Sequence, residues 1–411
     1  MGFSFAAAAA RPAMASTLPG WSMLDCFVFW SENFAFPKDA ASTLASGTNS
    51  MDQKFRICFK LVDPPEVSRL YLQMEEGLWQ SHSFEIVAAH RAAVLLQMSY
   101  PIQVPGYDTI IPMVDHFLYR AASWLPAIQD RIKARASDDA TTNQLLRRLH
   151  CLDLGVLCRG GGEVAVAELE ITGSMAPPKL HVLCPSTSSG WEVKHPPIIP
   201  CDDAREFDLE EFLRCFDAHA VVPFRSYLCW VDYSLGILFC DVFDESPKLL
   251  YLELPAQLPR LHREVMGRAW ADAYHAVGVT EGEVMKFVKL VHDKDRFSET
   301  IGPATDAFTI TSWALRITES DGMMKWEQDA FLRSSEIGFD GFTHLPRVDM
   351  YEPSVVYFMV GQDQASYIHQ WCRVGDLCGE EALYFAREKP QIYTSFLPAE
   401  FAEHLNLLGT R

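Results

Sequence analysis

Residues 227–254 constrain this chain more than any other stretch. Three apolar runs, 227–231, 237–242 and 249–254, are divided by two turns, Tyr233-Ser234-Leu235-Gly236 and Phe243-Asp244-Glu245-Ser246-Pro247. Each run is short and rich in aromatic and aliphatic side chains, and the turns carry Gly, Ser, Asp and Pro where the backbone must reverse. That is the pattern of a β-meander. The first two runs, and a later one at 355–360, are apolar on both alternating faces. Strands buried on both faces usually belong to parallel sheets covered by helices. Parallel neighbours need long crossovers, and the turns here are far too short for them. Antiparallel meanders stacked face to face satisfy both facts.

The same rhythm runs along most of the chain. Strand candidates fall at 55–61, 84–90, 93–98, 117–121, 154–158, 164–169, 180–184 and 191–193, then at 276–279, 284–290, 308–317, 324–326, 354–360, 367–374 and 382–385. Glycine-containing turns separate many of them, as at Gly160-Gly161-Gly162 and Thr280-Glu281-Gly282. Residues 208–216 read as a helical turn or two, with Phe212, Leu213 and Phe216 on one face. Sandwich, barrel and propeller all show such spacing. The doubly buried runs favour an all-β, β-propeller-like array of antiparallel meanders with short helical insertions. A faint internal echo agrees: Trp191 follows Ser189-Gly190 and Trp326 follows Asp321-Gly322, 135 residues further on. The expected organisation is an Ala-rich disordered leader over 1–20, one propeller-like domain over 21–400 and a tail over 401–411. Polar segments at 38–53 and 134–145 read as loops, the second of them mobile.

Charge and cysteine content narrow the function. The chain of 411 residues carries 35 basic and 54 acidic side chains, a formal net charge of −19. Such a surface repels phosphate backbones and anionic lipid, so neither nucleic acid nor a membrane is an expected partner. Arg131, Lys133, Arg135 and the pair Arg147-Arg148 form a basic group, diluted by Asp138-Asp139. Eleven cysteines are scattered with no C-x-x-C spacing, mostly inside apolar runs, as expected of free buried thiols in a reducing compartment. Cys372 and Cys378 flank Gly375 and are also read as free thiols. No N-x-S/T acceptor occurs and no apolar run reaches membrane-spanning length. The expected location is cytoplasmic or nuclear. The first residues lack a basic segment ahead of the alanines, which argues against a secretory signal and leaves an organellar transit peptide as the alternative.

Leu228-Cys229-Trp230-Val231-Asp232, Gly236-Ile237-Leu238-Phe239-Cys240-Asp241 and Leu252-Glu253-Leu254-Pro255 resemble the W-V-D-x-x-x-G-[IL]-L-x-C-D core, and the L-P that follows it, of a grass-expanded plant family, the DUF1618 proteins. Trp21-Ser22-Met23-Leu24-Asp25, Ser68-Arg69-Leu70-Tyr71, Gly155-Val156-Leu157-Cys158-Arg159 with Val166-Ala167-Glu168-Leu169, and Pro353-Ser354-Val355-Val356-Tyr357-Phe358 are similar to further pieces, in order. The resemblance is densest over 220–360. It implies a fold akin to the propeller-like domains associated with plant F-box proteins, and a setting in plant development or stress response. It implies no biochemical activity, and no F-box is recognisable here.

No catalytic, cofactor-binding or metal-binding residue is assigned from the sequence. There is no G-x-S-x-G, H-E-x-x-H, Walker loop or G-x-G-x-x-G, and none of the 13 histidines has another four residues on. Asp232 and Asp241 are polar residues inside the family core, but each ends a strand and is read as capping its own turn. Trp230, Trp313 and Trp371 are read as packing aromatics, with carbohydrate stacking as the alternative for one facing solvent. The expectation is a non-enzymatic protein-interaction scaffold without a cofactor. Its rivals are a substrate adaptor for ubiquitin ligation and a cryptic hydrolase or carbohydrate-binding propeller.

Overall fold

A computed structural model describes residues 20–30, 43–64, 66–74, 82–103, 110–120, 127–132, 153–173, 176–186, 190–201, 207–256, 273–281, 283–292, 307–318, 322–336, 342–361, 369–374, 383–386 and 396–400. The segments 1–19, 134–145 and 401–411, assigned from sequence to a leader, a mobile loop and a tail, lie outside the described residues, as does Cys378.

The chain is all-β and mostly antiparallel. The first sheet has nine strands. Eight are β1 (Ser22–Trp30), β2 (Ala45–Thr48), β3 (Lys54–Lys60), β4 (Val67–Met74), β5 (Ser83–His90), β6 (Ala93–Gln103), β7 (Ile110–Arg120) and β8 (Ala127–Ile132), in the order β2-β3-β4-β1-β5-β6-β7-β8. The second sheet is a meander of β9 (Leu154–Cys158), β10 (Val164–Glu170), β11 (Lys179–Leu183) and β12 (Glu192–Lys194). The third holds β13 (Ile198–Pro200), β14 (Ala220–Phe224), β15 (Tyr227–Asp232), β16 (Gly236–Cys240) and β17 (Leu249–Glu253). Two further meanders follow: β18 (His275–Val279), β19 (Met285–His292), β20 (Phe308–Ile317) and β21 (Met324–Arg333), then β22 (Phe342–Val348), β23 (Val356–Gly361), β24 (His369–Val374) and β25 (Leu383–Ala386). Finally β26 (Phe396–Ala399) returns to pair antiparallel with β1, Ser22 opposite Ala399.

Two pairings depart from the all-antiparallel expectation. β1 runs parallel to β4, and β13 runs parallel to β17. Both join strands distant in sequence, which short turns do not constrain. The helix α1 (Leu209–Cys215) lies between β13 and β14. Asp208 caps it by accepting the Glu211 N–H at 3.0 Å. Phe212 and Leu213 are buried beneath it, as their spacing predicts.

The doubly buried strands are explained by stacking. One face of β15 and β16, with Leu228, Trp230, Leu238 and Cys240, packs on Leu157, Ala165 and Ala167 of the second sheet. The other, with Cys229, Val231, Ile237 and Phe239, packs on Met285 and Phe287 of the fourth. The pattern continues in both directions. Val288, Leu290 and Phe308 meet Val356 and Phe358 of the last meander. Tyr357 and Met359 of that meander meet Trp21, Met23 and Val67 of the first sheet. Leu95 and Leu118 of the first sheet meet Val156 and Val164 of the second. The packing therefore runs in a circuit that returns to its start. Trp191, just before β12, and Trp326, in β21, belong to the fourth strands of meanders two sheets apart.

Candidate functional site

The first strand of each meander faces the middle of this circuit. β5 touches β9, β9 touches β14, β14 touches β18, and β18 touches β22. Glycine permits two of these approaches. A Cβ on Gly155 of β9 would come within 2.5 Å of Val221 in β14, and one on Gly278 of β18 within 2.8 Å of Val348 in β22. Between the strands lies a cavity of about 520 Å³, within the size range of small-ligand sites. Its wall is largely apolar: Phe27, Ile86, Leu154, Val221, Val277 and Val348 each come from a different strand.

Polar side chains in the wall hold the scaffold. His90 ends β5, and its Nδ1 accepts the Cys158 N–H at 2.8 Å while its carbonyl accepts the Cys158 thiol at 3.0 Å. These bonds tie β5 to β9. Burial pushes the Cys158 thiol up to about 12, so it stays protonated and inert near neutral pH. His219 Nδ1 accepts the Tyr233 N–H at 3.2 Å. That nitrogen is therefore unprotonated, and its approach to Asp232 Oδ1 at 3.6 Å is a contact rather than an ion pair. His219 and Tyr233 begin a chain of ring contacts leading away from the cavity: Tyr233 stacks on His275, His275 on Phe287, and Phe287 on Trp313 at 5.4 Å.

Charge gathers at one mouth of the cavity. Arg91, Arg225 and Glu283 occupy the turns that follow β5, β14 and β18. Glu283 Oε1 lies 3.9 Å from Arg91 Nη2, and its Oε2 lies 3.8 Å from Arg225 Nε. The Arg225 guanidinium also sits 5.3 Å from the centre of the Phe224 ring. The backbone at these positions is unusual. Among the described residues, the non-glycine residues with positive φ are Asp52, Arg91, Arg225, Glu283 and Leu345. Three of these five meet at the mouth. A left-handed conformation costs an L-residue roughly 1–2 kcal/mol, and Gly or Asn would fit more easily. Charged side chains held there despite the strain point to a role for the side chains themselves.

The residues singled out from the sequence lie away from the mouth. Asp232 is fully buried and its Oδ1 accepts the Ser234 N–H at 2.8 Å and the Ser234 hydroxyl at 2.6 Å, the expected turn cap. Its Oδ2 also accepts the Asp217 N–H at 2.8 Å, which fixes the segment after α1. Asp241 caps its turn through the Phe243 N–H at 3.1 Å. Trp230 is 0% exposed and its indole N–H donates to the Asp153 carbonyl at 2.8 Å. Trp313 is half-buried against Phe287, and Trp371 lies on β24. Sequence reasoning missed the mouth. Its only local signal is a pair of tight hairpin turns that carry Arg where Gly or Asn is usual.

The described residues contain no group of three or more His, Cys, Asp or Glu side chains able to hold a metal ion. None of their helices is long and apolar enough to cross a membrane.

Similarity to known proteins is faint outside one segment. No curated protein matches the chain. Among solved structures, AofleA from Arthrobotrys oligospora is 10% identical with a TM-score of 0.35, over 88% of this chain and 89% of that one. A eukaryotic initiation factor is 10% identical with a TM-score of 0.27, over 87% of this chain and 81% of that one. A glycosyl hydrolase from Bacteroides ovatus is 10% identical with a TM-score of 0.27, over 75% of this chain and 85% of that one. No inference about this chain rests on likenesses so distant. The informative match covers residues 230–365, which begin inside the β15–β17 meander and match the model of DUF1618, a family described as a protein of unknown function.

Proposed function

We propose that this protein is a non-enzymatic interaction scaffold with a propeller-like arrangement of meanders, and that it binds protein partners at the cavity and its charged mouth. The observation that carries this reading is the shared cavity itself. Its apolar wall is assembled from the first strands of successive meanders, and three of its charged groups, Arg91, Arg225 and Glu283, meet in turn tips. An apolar floor with a polar rim is the usual anatomy of a recognition site. Titratable groups in the wall support the non-enzymatic part. His90 and His219 each use Nδ1 to accept a backbone N–H, and the Cys158 thiol is shifted away from nucleophilic ionisation. A net charge of −19 favours protein over nucleic acid as the partner. A role in plant development or stress response follows from the family resemblance.

The test compares affinity purification from plant cells by the intact chain and by Val279→Asn, a half-buried wall position. A partner should be lost with the variant while its melting temperature holds, and the purified partner should bind the intact chain directly in calorimetry. Undiminished partner recovery by the variant would refute the site. Turnover of a glycoside or ester panel by the purified chain would refute the non-enzymatic reading.

A further inference from the structure

Arg91 and Arg225 reach the mouth from two different meanders, and both face the single carboxylate of Glu283. At 3.8 and 3.9 Å these approaches are longer than hydrogen bonds. Among the described residues neither guanidinium donates a hydrogen bond, and all three side chains are substantially exposed, at 39% to 50%. The turn backbones fix where the guanidiniums start, and the Phe224 ring supports one of them. Two planar forks with uncommitted N–H donors, anchored close together beside an apolar cavity, are suited to bidentate capture of a carboxylate.

We propose that the mouth captures an acidic segment of a partner protein: a ligand Asp or Glu carboxylate takes the place of Glu283 between Arg91 and Arg225, and an adjoining apolar side chain enters the cavity below. This rests on the scaffold reading and specifies the partner's chemistry. Glu283 is then an internal competitor. It neutralises the arginines in the empty state and must move aside when the ligand carboxylate arrives. The cavity lining sets Arg91, Arg225 and Arg347 against Glu85, Glu281, Glu283 and Glu400, within a strongly acidic chain, so recognition depends on short-range hydrogen bonds to the two arginines and not on long-range steering.

The role of Glu283 gives the test a distinctive sign. A random dodecapeptide library displayed on phage is panned on the full chain, and the enriched peptides are synthesised and titrated. Enriched sequences should place Asp or Glu beside an apolar residue. Arg91→Gln and Arg225→Gln should each weaken binding about tenfold, Arg91→Lys and Arg225→Lys should weaken it less, and Glu283→Gln should tighten it about threefold. An ion pair of purely structural importance would make Glu283→Gln harmful alongside the arginine changes, and that result overturns the proposal. Peptides that bind all these variants equally but are lost with Val279→Asn overturn the acidic-segment proposal and leave the scaffold reading standing. A library yielding no peptide above the bare support overturns both.

Discussion

Cutting Trp230 to alanine tests whether the meander that opened the sequence argument is a stacked core element. The side chain has no exposed surface and lies in the cluster shared by the second and third sheets, against residues such as Leu157 and Leu238. Truncating a buried aromatic to alanine costs roughly 3–5 kcal/mol. Removing the indole N–H also takes one donor from the Asp153 carbonyl, which keeps the Leu169 N–H at 3.4 Å, and adds about 1 kcal/mol or less. Trp230→Phe separates the two terms, because it keeps most of the ring volume and loses the same hydrogen bond. It should cost about 2 kcal/mol. Urea unfolding followed by circular dichroism reads both, provided the slope with denaturant is unchanged. A loss below about 1 kcal/mol for Trp230→Ala would refute stacking at this face. Equal losses for the two variants would assign the effect to the Asp153 hydrogen bond alone.

The remaining predictions concern capping, protonation and strain. Asp241→Asn retains an acceptor for the Phe243 N–H and should cost at most about 1 kcal/mol, whereas Asp232→Asn turns an amide NH₂ towards one of three buried donors and should cost about 2–3 kcal/mol; equal urea midpoints would contradict this. Burial lowers the His116 pKa from 6.5 to about 4. Above pH 6.5 the imidazole is neutral in both folded and unfolded chains; between 6.5 and 4 only the unfolded chain takes up the proton. Stability is therefore lost as the pH drops from 6.5 to 4, by about 1.4 kcal/mol per unit and about 3 kcal/mol in total. His116→Gln should flatten this part of the profile, and an unchanged slope would show that His116 is not the group responsible. Arg225→Gly removes the strain of a φ of 54°, and the relief of about 1–2 kcal/mol should offset the extra freedom of the unfolded chain. The variant should melt no lower than the parent; a clear drop would make the arginine a structural residue.

The sequence was legible where structure is local. The 227–254 meander was readable because its turns are short and chemically marked, and the strands observed are Tyr227–Asp232, Gly236–Cys240 and Leu249–Glu253. Helix α1 was readable from Phe212 and Leu213 with a preceding Asp. Burial on both faces predicted stacking, and the partition of Trp230 from Cys229 and Val231 follows strand alternation directly. The parallel β1–β4 and β13–β17 pairs were not legible, because nothing local records which distant edge a strand will meet. The mouth was hidden for the same reason. Arg91, Arg225 and Glu283 become neighbours only when their meanders are arranged around the cavity, and each alone looks like an ordinary charged turn residue.

The pairing of β26 with β1 has a consequence for synthesis. Ser22 to Asp25 are among the first described residues to leave the ribosome, and their partners, Phe396 to Ala399, are among the last. Until those partners emerge, that edge of β1 presents unpaired backbone groups, the kind of edge that recruits strands from other molecules. The intervening meanders are local in sequence and able to form as they emerge. The last pairing serves as a completeness check: a chain stopped anywhere short of Phe396 keeps an open seam and the aggregation hazard that comes with it.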